Sequence, residues 1–298
     1  MIPRTTPSLK YRLGSLRLLI YAILCQIARL TTGKKTLPSD MEIAPCPVCG
    51  DPGSWYLFSR RDRLHYSNIE GNRFFDVVKC KQCGHVFINP RLKEAVLLDI
   101  YEKDLFETYK YDAGHAAKIN VLYDAYHDRL QDRLNAFERY LSVIRKHAPR
   151  GKLLDIGTCF AYFLQTAQRY GYEVSGVELS RQCVEFSREK LGIESMTRGS
   201  ILDAAVAPAS FDAITLWHAI EHLYHPAETA RKISDLLKPG AYFFMTCPIH
   251  EERILVRSVQ PIEHLHYFRR DTLIRLILSN FEGDFVIEDD LVFVFKKR

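Results

Sequence analysis

No stretch of this 298-residue chain carries twenty consecutive uncharged apolar residues, and beyond its first 45 residues neither sign of charge is in excess. The first absence removes an ordinary bilayer-spanning helix, which needs about 20 such residues. The second removes a broad basic groove for nucleic acid, which has to neutralise phosphates along its length. The net charge of +5 sits in residues 1–45, where seven Lys or Arg face two acids; the rest of the chain holds 34 of each sign. Internal repeats and low-complexity tracts are lacking as well. An apolar fraction of 47% with 26% charged residues is that of an ordinary globular chain, long enough for one large or two modest domains.

The basic excess surrounds a short apolar run. Leu18 to Ala28 is uncharged, and Lys10, Arg12, Arg17, Arg29, Lys34 and Lys35 flank it. No small-x-small cleavage site follows, so a signal peptide is disfavoured. An interfacial helix over residues 11–30 on an anionic membrane fits the pattern. A helix packed on the body, or a simple extension, fits it equally. The expectation is a cytoplasmic chain with peripheral membrane contact through residues 11–30.

Eight cysteines are present, and the spacing of four speaks against disulfides. Cys46-Pro-Val-Cys49-Gly and Cys80-Lys-Gln-Cys83-Gly are two matched knuckles. The glycine after each pair lets the turn wrap so that backbone amides face the sulfurs. Four thiolates gathered this way make a closed tetrahedral zinc site, structural because no coordination position stays open. Cys25, Cys159, Cys183 and Cys247 are isolated, as reduced core residues of a cytosol-like compartment would be.

The second half alternates strand and helix patterns, which points to a mostly parallel sheet covered by helices. Its key stretch is Lys152-Leu-Leu-Asp-Ile-Gly-Thr-Cys-Phe-Ala-Tyr-Phe163: a buried strand, a turn opening on Gly157 and the start of a helix. A second strand, Glu173-Val-Ser-Gly-Val177, ends at the acid Glu178. Strand, glycine turn, helix, strand and acid describe a nucleoside-binding unit, in which the acid accepts from ribose hydroxyls. A dinucleotide fingerprint needs three glycines, and only Gly157 is present. Asp155 at the strand tip would repel a pyrophosphate, whereas it suits a ligand carrying an ammonium and a sulfonium.

Asp155-Ile-Gly157-Thr-Cys159-Phe-Ala161 resembles the first motif of class I S-adenosylmethionine-dependent methyltransferases, Asp-x-Gly-x-Gly-x-Gly, with Cys159 and Ala161 in place of two glycines. Later stretches follow in that family's order: Arg198 to Asp203, Pro208 to Leu216, Trp217 to Pro226, and Leu236 to Thr246. The resemblance covers about residues 150 to 298. It implies a Rossmann-like α/β fold, a mostly parallel sheet closed by a C-terminal antiparallel hairpin (Phe281 to Ile287 with Leu291 to Phe295), plus a small N-terminal zinc ribbon. It implies S-adenosylmethionine as cofactor, held by Asp155, Gly157, Thr158, Phe160, Glu178, Leu179, Leu202, Asp203 and Trp217. Asp203 would face the adenine amino group. The ribbon ahead of this fold resembles bacterial methyltransferases acting on sugars, glycan precursors or other small metabolites. The Asn/Asp-Pro-Pro-Tyr signature of DNA-base amino methylation is missing after the fourth strand.

Methyl transfer from a sulfonium is an in-line displacement, so the protein mainly has to align and dry the reactants. A hydroxyl or carbon acceptor also needs a base, and histidine suits neutral pH. His218 follows the strand that ends near the transferred methyl in the family and is the first candidate. His222, with Glu221 to orient either ring, and His266 in the Pro261-Ile-Glu-His-Leu-His-Tyr-Phe268 loop are the others, and His264 shares that loop. Two alternatives stand beside this reading. His218-Ala-Ile-Glu-His222 matches the His-x-x-Glu-His helix of inverted zinc peptidases. A non-catalytic adaptor would follow if the altered glycine turn no longer admits cofactor. The chain is expected to divide into a basic extension (1–42), a zinc ribbon (43–92), substrate-side helices (93–149, helical from Ala116 to Lys146) and a cofactor-binding domain (150–298).

Overall fold

The computed structural model describes residues 37–61, 74–103, 108–112, 115–119, 126–250, 259–287 and 292–298. Residues 11–30, where membrane contact was expected, lie outside the described residues. Among those described, no helix is long and apolar enough to cross a membrane.

In chain order the strands are β1 (Met41–Glu42), β2 (Ser54–Arg61), β3 (Phe74–Cys80), β4 (Val86–Ile88), β5 (Arg91–Leu92), β6 (Thr108–Asp112), β7 (His115–Ile119), β8 (Lys152–Ile156), β9 (Glu173–Glu178), β10 (Met196–Arg198), β11 (Phe211–Trp217), β12 (Leu237–Thr246), β13 (His266–Tyr267), β14 (Gly283–Ile287) and β15 (Phe293–Lys297). The helices are α1 (Glu94–Lys103), α2 (Leu130–His147), α3 (Tyr162–Arg169), α4 (Arg181–Leu191), α5 (Pro226–Leu236) and α6 (Arg270–Leu278).

Seven strands form the main sheet in the order β10-β9-β8-β11-β12-β15-β14. Five run parallel, and β15 enters antiparallel between β12 and β14. This is the Rossmann-like class I sheet with its C-terminal hairpin, as the sequence leads one to expect. Burial on both faces explains the near-continuous apolar runs of β8 and β11. Phe137, Leu141 and Ile144 of α2 meet Phe163 and Leu164 of α3 over one face. Ile233 and Leu236 of α5 with Leu273 and Ile277 of α6 cover the other.

Where one long or two shorter helices were expected from Ala116 to Lys146, His115–Ile119 pairs antiparallel with Thr108–Asp112 and α2 spans Leu130–His147. Thr108-Tyr-Lys-Tyr-Asp112 alternates with period two, and pairing to it draws the Ala-containing segment into a strand.

The N-terminal module is not a bead on a string. Its sheet runs β13-β4-β3-β2, and β13 belongs to the loop after β12. Cys46, Val48, Val78 and Phe87 share one apolar cluster with helix α6 and the main sheet. Asn89 ties the module together: its amide donates to the Ala44 carbonyl (3.1 Å) and its carbonyl accepts from the Ala44 amide (3.0 Å), all buried. Asn89→Ala leaves two buried backbone groups without partners. We expect a loss of about 2 kcal/mol, read as a lower urea midpoint at unchanged slope in zinc-loaded protein.

Candidate functional site

Strand order reverses between β8 and β11, which opens a crevice at their carboxyl ends. Asp155 lies there, 2% exposed, with Oδ1 accepting from the Thr215 hydroxyl at 2.6 Å. Burial pushes its carboxyl up to about 8; the Thr215 bond opposes this and the Glu178 charge adds to it. Gly157 follows at φ +73°, and a Cβ there would come 3.1 Å from that of Ala219. The turn therefore requires glycine both for its backbone and for room. Glu178 fixes the turn from β9, accepting from the amides of Cys159 (2.8 Å) and Ser180 (2.9 Å). Cys159 and Ala161, which stand where the family motif has glycines, keep the left-handed conformation at φ +50° and +54°. The path of the glycine turn is thus preserved at a cost of about 1–2 kcal/mol per residue.

At the far end of β11 the chain turns sharply at His218, itself left-handed at φ +49°. Such a conformation in a non-glycine residue at a cleft is held by its surroundings. Here the His218 amide donates to both the carbonyl and the hydroxyl of Thr246, each at 3.2 Å. Its ring is half-exposed, and desolvation followed by the Arg133 charge lowers its pKa. Glu221 is 2% exposed, and burial raises its carboxyl to about 7 against an opposing bond from the Cys247 thiol. Glu221 Oε1 lies 4.0 Å from His218 Nδ1 and 3.9 Å from His222 Nε2. His222 Nδ1 donates to the Glu263 carbonyl at 2.6 Å, with the Tyr101 hydroxyl 3.2 Å away. The His264 ring sits edge-on to that of His222, centroids 4.7 Å apart. Burial lowers His222 to about 4 and His264 to about 3.

The four knuckle cysteines converge. Cys46 and Cys83 sulfurs are 3.5 Å apart, as are those of Cys49 and Cys80, and all four lie within 4.8 Å of one another. Gly50 and Gly84 adopt the positive φ that closes each knuckle. Backbone amides approach Cys80 from Cys83 and Gln82, and its pKa is lowered despite burial. The donor set fits one tetrahedral thiophilic ion.

Residues 125–280, just over half of the chain, match the family model described as a methyltransferase domain. The chain belongs to this methyltransferase family. Among curated relatives, the ubiquinone biosynthesis O-methyltransferase of Chromobacterium violaceum is 27% identical over 123 residues, 38% of this chain and 49% of that one. That of Azoarcus sp. is 31% identical over 101 residues, 32% and 43%. The chain thus spans about half the length of the curated relatives it matches. Among solved structures, a SAM-dependent methyltransferase from Thermotoga maritima aligns with TM-score 0.48 at 17% identity, over 60% of this chain and 97% of that one. A Pyrococcus horikoshii protein aligns with TM-score 0.49 at 16% identity, over 57% and 91%.

Within this methyltransferase the sequence-derived residues sort unevenly. Asp155, Gly157, Thr158, Glu178 and Leu179 line the β8 and β9 tips, and Leu202 and exposed Asp203 follow β10. Phe160 is fully buried among Tyr126, His127 and Phe186, supporting the turn by packing. Trp217 stacks on Tyr140 with centroids 4.4 Å apart and meets Phe163 edge-on. His266, expected as a catalytic group, sits within the core. It is 2% exposed, its Nε2 bonds the Leu223 carbonyl, and its ring lies beside His85 and Phe268. His264 precedes β13, and its ring is the one that meets His222. The peptidase helix is also absent: Ile220–His222 is a single 3-10 turn, with His218 outside it. Sequence reasoning missed the strand residues Thr215 and Thr246, and Cys247 just past the end of β12, whose contacts depend on register.

These shifts set a pH dependence for the apo protein. His222, His264 and His266 (about 3) bind protons more readily unfolded than folded below 6.5, so stability falls as pH drops through that range. Asp155 holds its proton in the folded state from its ordinary value of 3.8 up to about 8, so its contribution to stability falls as pH rises across that whole range. The melting temperature of the protein without added ligand should peak near pH 6.5, and Asp155→Asn should flatten the alkaline arm and steepen the acid one.

Proposed function

We propose that the chain binds S-adenosylmethionine at the tips of β8, β9 and β11 and passes its methyl group to a hydroxyl of a small molecule of the sugar or glycan-precursor class. The observation that carries this reading is the Gly157 turn, held between Asp155 and Glu178 beside a histidine at the end of β11. The O-methyltransferase names of the curated relatives support a hydroxyl acceptor. The resemblance of the ribbon arrangement to sugar-modifying enzymes supports the substrate class. Cys46, Cys49, Cys80 and Cys83 would hold a structural Zn2+, and residues 11–30 would bring the enzyme to an anionic membrane surface.

Bound in this crevice, the cofactor supplies an electrophilic methyl with a neutral thioether as leaving group. Glu178, fixed by two amides, keeps lone pairs free for the ribose hydroxyls. Leu179 and Leu202 would flank the adenine, whose amino group Asp203 would accept. Asp155, once ionised, would attract the ligand's positive charge. His218, neutral at pH 7, would take the acceptor's proton, and Glu221 behind it would favour the imidazolium that forms. Tyr140, Phe163 and Trp217 close the wall beside His218 and keep water out.

Calorimetric titration of zinc-loaded protein with S-adenosylhomocysteine should give one-to-one micromolar binding. Gly157→Arg should abolish it with zinc content and circular dichroism unchanged. Glu178→Ala should cost about 2 kcal/mol of affinity, as loss of hydrogen bonds to a charged group does. Binding that survives Gly157→Arg would place the pocket elsewhere; no binding to the folded wild-type protein would favour the adaptor reading. Removing the zinc should lower the melting temperature of the whole chain, because the knuckles share a core with α6.

A further inference from the structure

We infer that Glu221, His222 and His264 form a second metal site, for a borderline divalent cation such as Zn2+, Co2+ or Ni2+, at the acceptor side of the cleft. One carboxylate oxygen and one ring nitrogen from each histidine lie within 4.8 Å of one another. The site is distinct from the four-cysteine cluster and uses no thiolate.

Three features make it a built site. First, the tautomer of His222 is fixed. A carbonyl oxygen can only accept, so the 2.6 Å contact to Glu263 places the ring proton on Nδ1. Nε2 is then a lone pair, facing the Glu221 carboxylate oxygen at 3.9 Å. At that separation the two atoms are too far apart for a hydrogen bond. Ligand atoms on one tetrahedral ion lie roughly 3.3 Å apart at bonds of ~2.0–2.1 Å, so a small closure would seat a cation. The Glu263 carbonyl would serve as the outer partner that orients a metal-bound histidine.

Second, two polar atoms are buried without partners among the described residues: Glu221 Oε2 and His264 Nδ1. A cation would account for an unpaired carboxylate oxygen and an unpaired imidazole in one place. Third, the two loops are locked. The Leu265 amide donates to the Glu221 carbonyl at 2.9 Å, and His266 Nε2 bonds the Leu223 carbonyl at 2.9 Å. The ligands are thus held before any metal arrives.

Two imidazoles and a carboxylate select a borderline transition ion over Mg2+ or Ca2+, which prefer all-oxygen sets. Three protein ligands leave at least one position open, unlike the closed cysteine site. His218, 4.0 Å from the same Glu221 oxygen, stands on the exposed side. Resting on the methyltransferase reading, the open position takes the acceptor's hydroxyl oxygen. A cation there makes that hydroxyl more acidic and holds it within reach of His218.

The test is a cobalt titration of full-length protein already loaded with zinc at the cysteines. We expect one further equivalent of Co2+, with weak d–d absorption and no thiolate-to-cobalt charge-transfer band. His264→Gln and Glu221→Gln should each weaken that binding at least tenfold. Absence of a further equivalent, cobalt seen only with the thiolate band, or affinity unchanged in both variants would overturn the site. S-adenosylhomocysteine, titrated into the same wild-type samples, separates the two readings. Nucleoside binding without extra cobalt removes the metal site alone; extra cobalt without nucleoside binding supports the metal site and removes the methyltransferase reading alone.

Discussion

A two-residue strand holds the parts of this molecule in relation to each other. Tyr267 and His266 pair with Val86 and Phe87, which makes a piece of the cofactor domain the fourth strand of the cysteine module. One residue earlier, the Leu265 carbonyl accepts from the Ile88 amide (3.0 Å) while the Leu265 amide reaches the Glu221 carbonyl. Thiolate cluster, β4, β13 and the turn carrying Glu221 and His222 are therefore one hydrogen-bonded succession. Arg91 reinforces it, lying over the Tyr224 ring at 3.6 Å and donating to the Tyr224 carbonyl at 3.0 Å. A module that could have been a mere appendage becomes the scaffold for one wall of the cleft.

The opposite wall shows how a motif can lose its glycines and keep its shape. Glu178 accepts the Cys159 amide, which holds residue 159 in a conformation that its side chain resists. Cys183 and Tyr126 pack beneath Phe160 in the same turn. Packing and one carboxylate thus supply what flexibility supplies elsewhere, and the penalty falls on folding stability while the opening stays in place. His218 repeats the pattern, held by Thr246 from the neighbouring strand.

What the sequence made legible follows from how local each signal is. β8 and β9 announce themselves because a strand buried on both faces must be apolar throughout, and the cysteine knuckles because metal ligation demands fixed spacing. The C-terminal hairpin is equally plain, being two β-branched and aromatic runs on either side of a polar gap. β13 was not legible: two residues inside a loop carry no period, and their pairing is with residues some 180 positions earlier. The different surroundings of His264 and His266 were hidden for the same reason. His264 lies ahead of the strand, and between the two histidines Leu265 bonds both β4 and the Glu221 carbonyl. Thr215 and Cys247 became visible only once β11 and β12 were in register.

The buried carboxyl of Asp155 carries a consequence for energy measurement. Near neutral pH it is largely protonated, and only its anion can attract a cationic guest. Association of a positively charged ligand at this carboxylate would therefore expel a proton into solution. The heat released on binding then includes the ionisation enthalpy of whatever buffer receives that proton, so the same complex would look exothermic in one buffer and nearly athermal in another. The affinity would rise with pH toward the carboxyl's own titration point and level off above it. A single side chain at the tip of a central strand thus couples recognition of a cation to the proton activity of the medium.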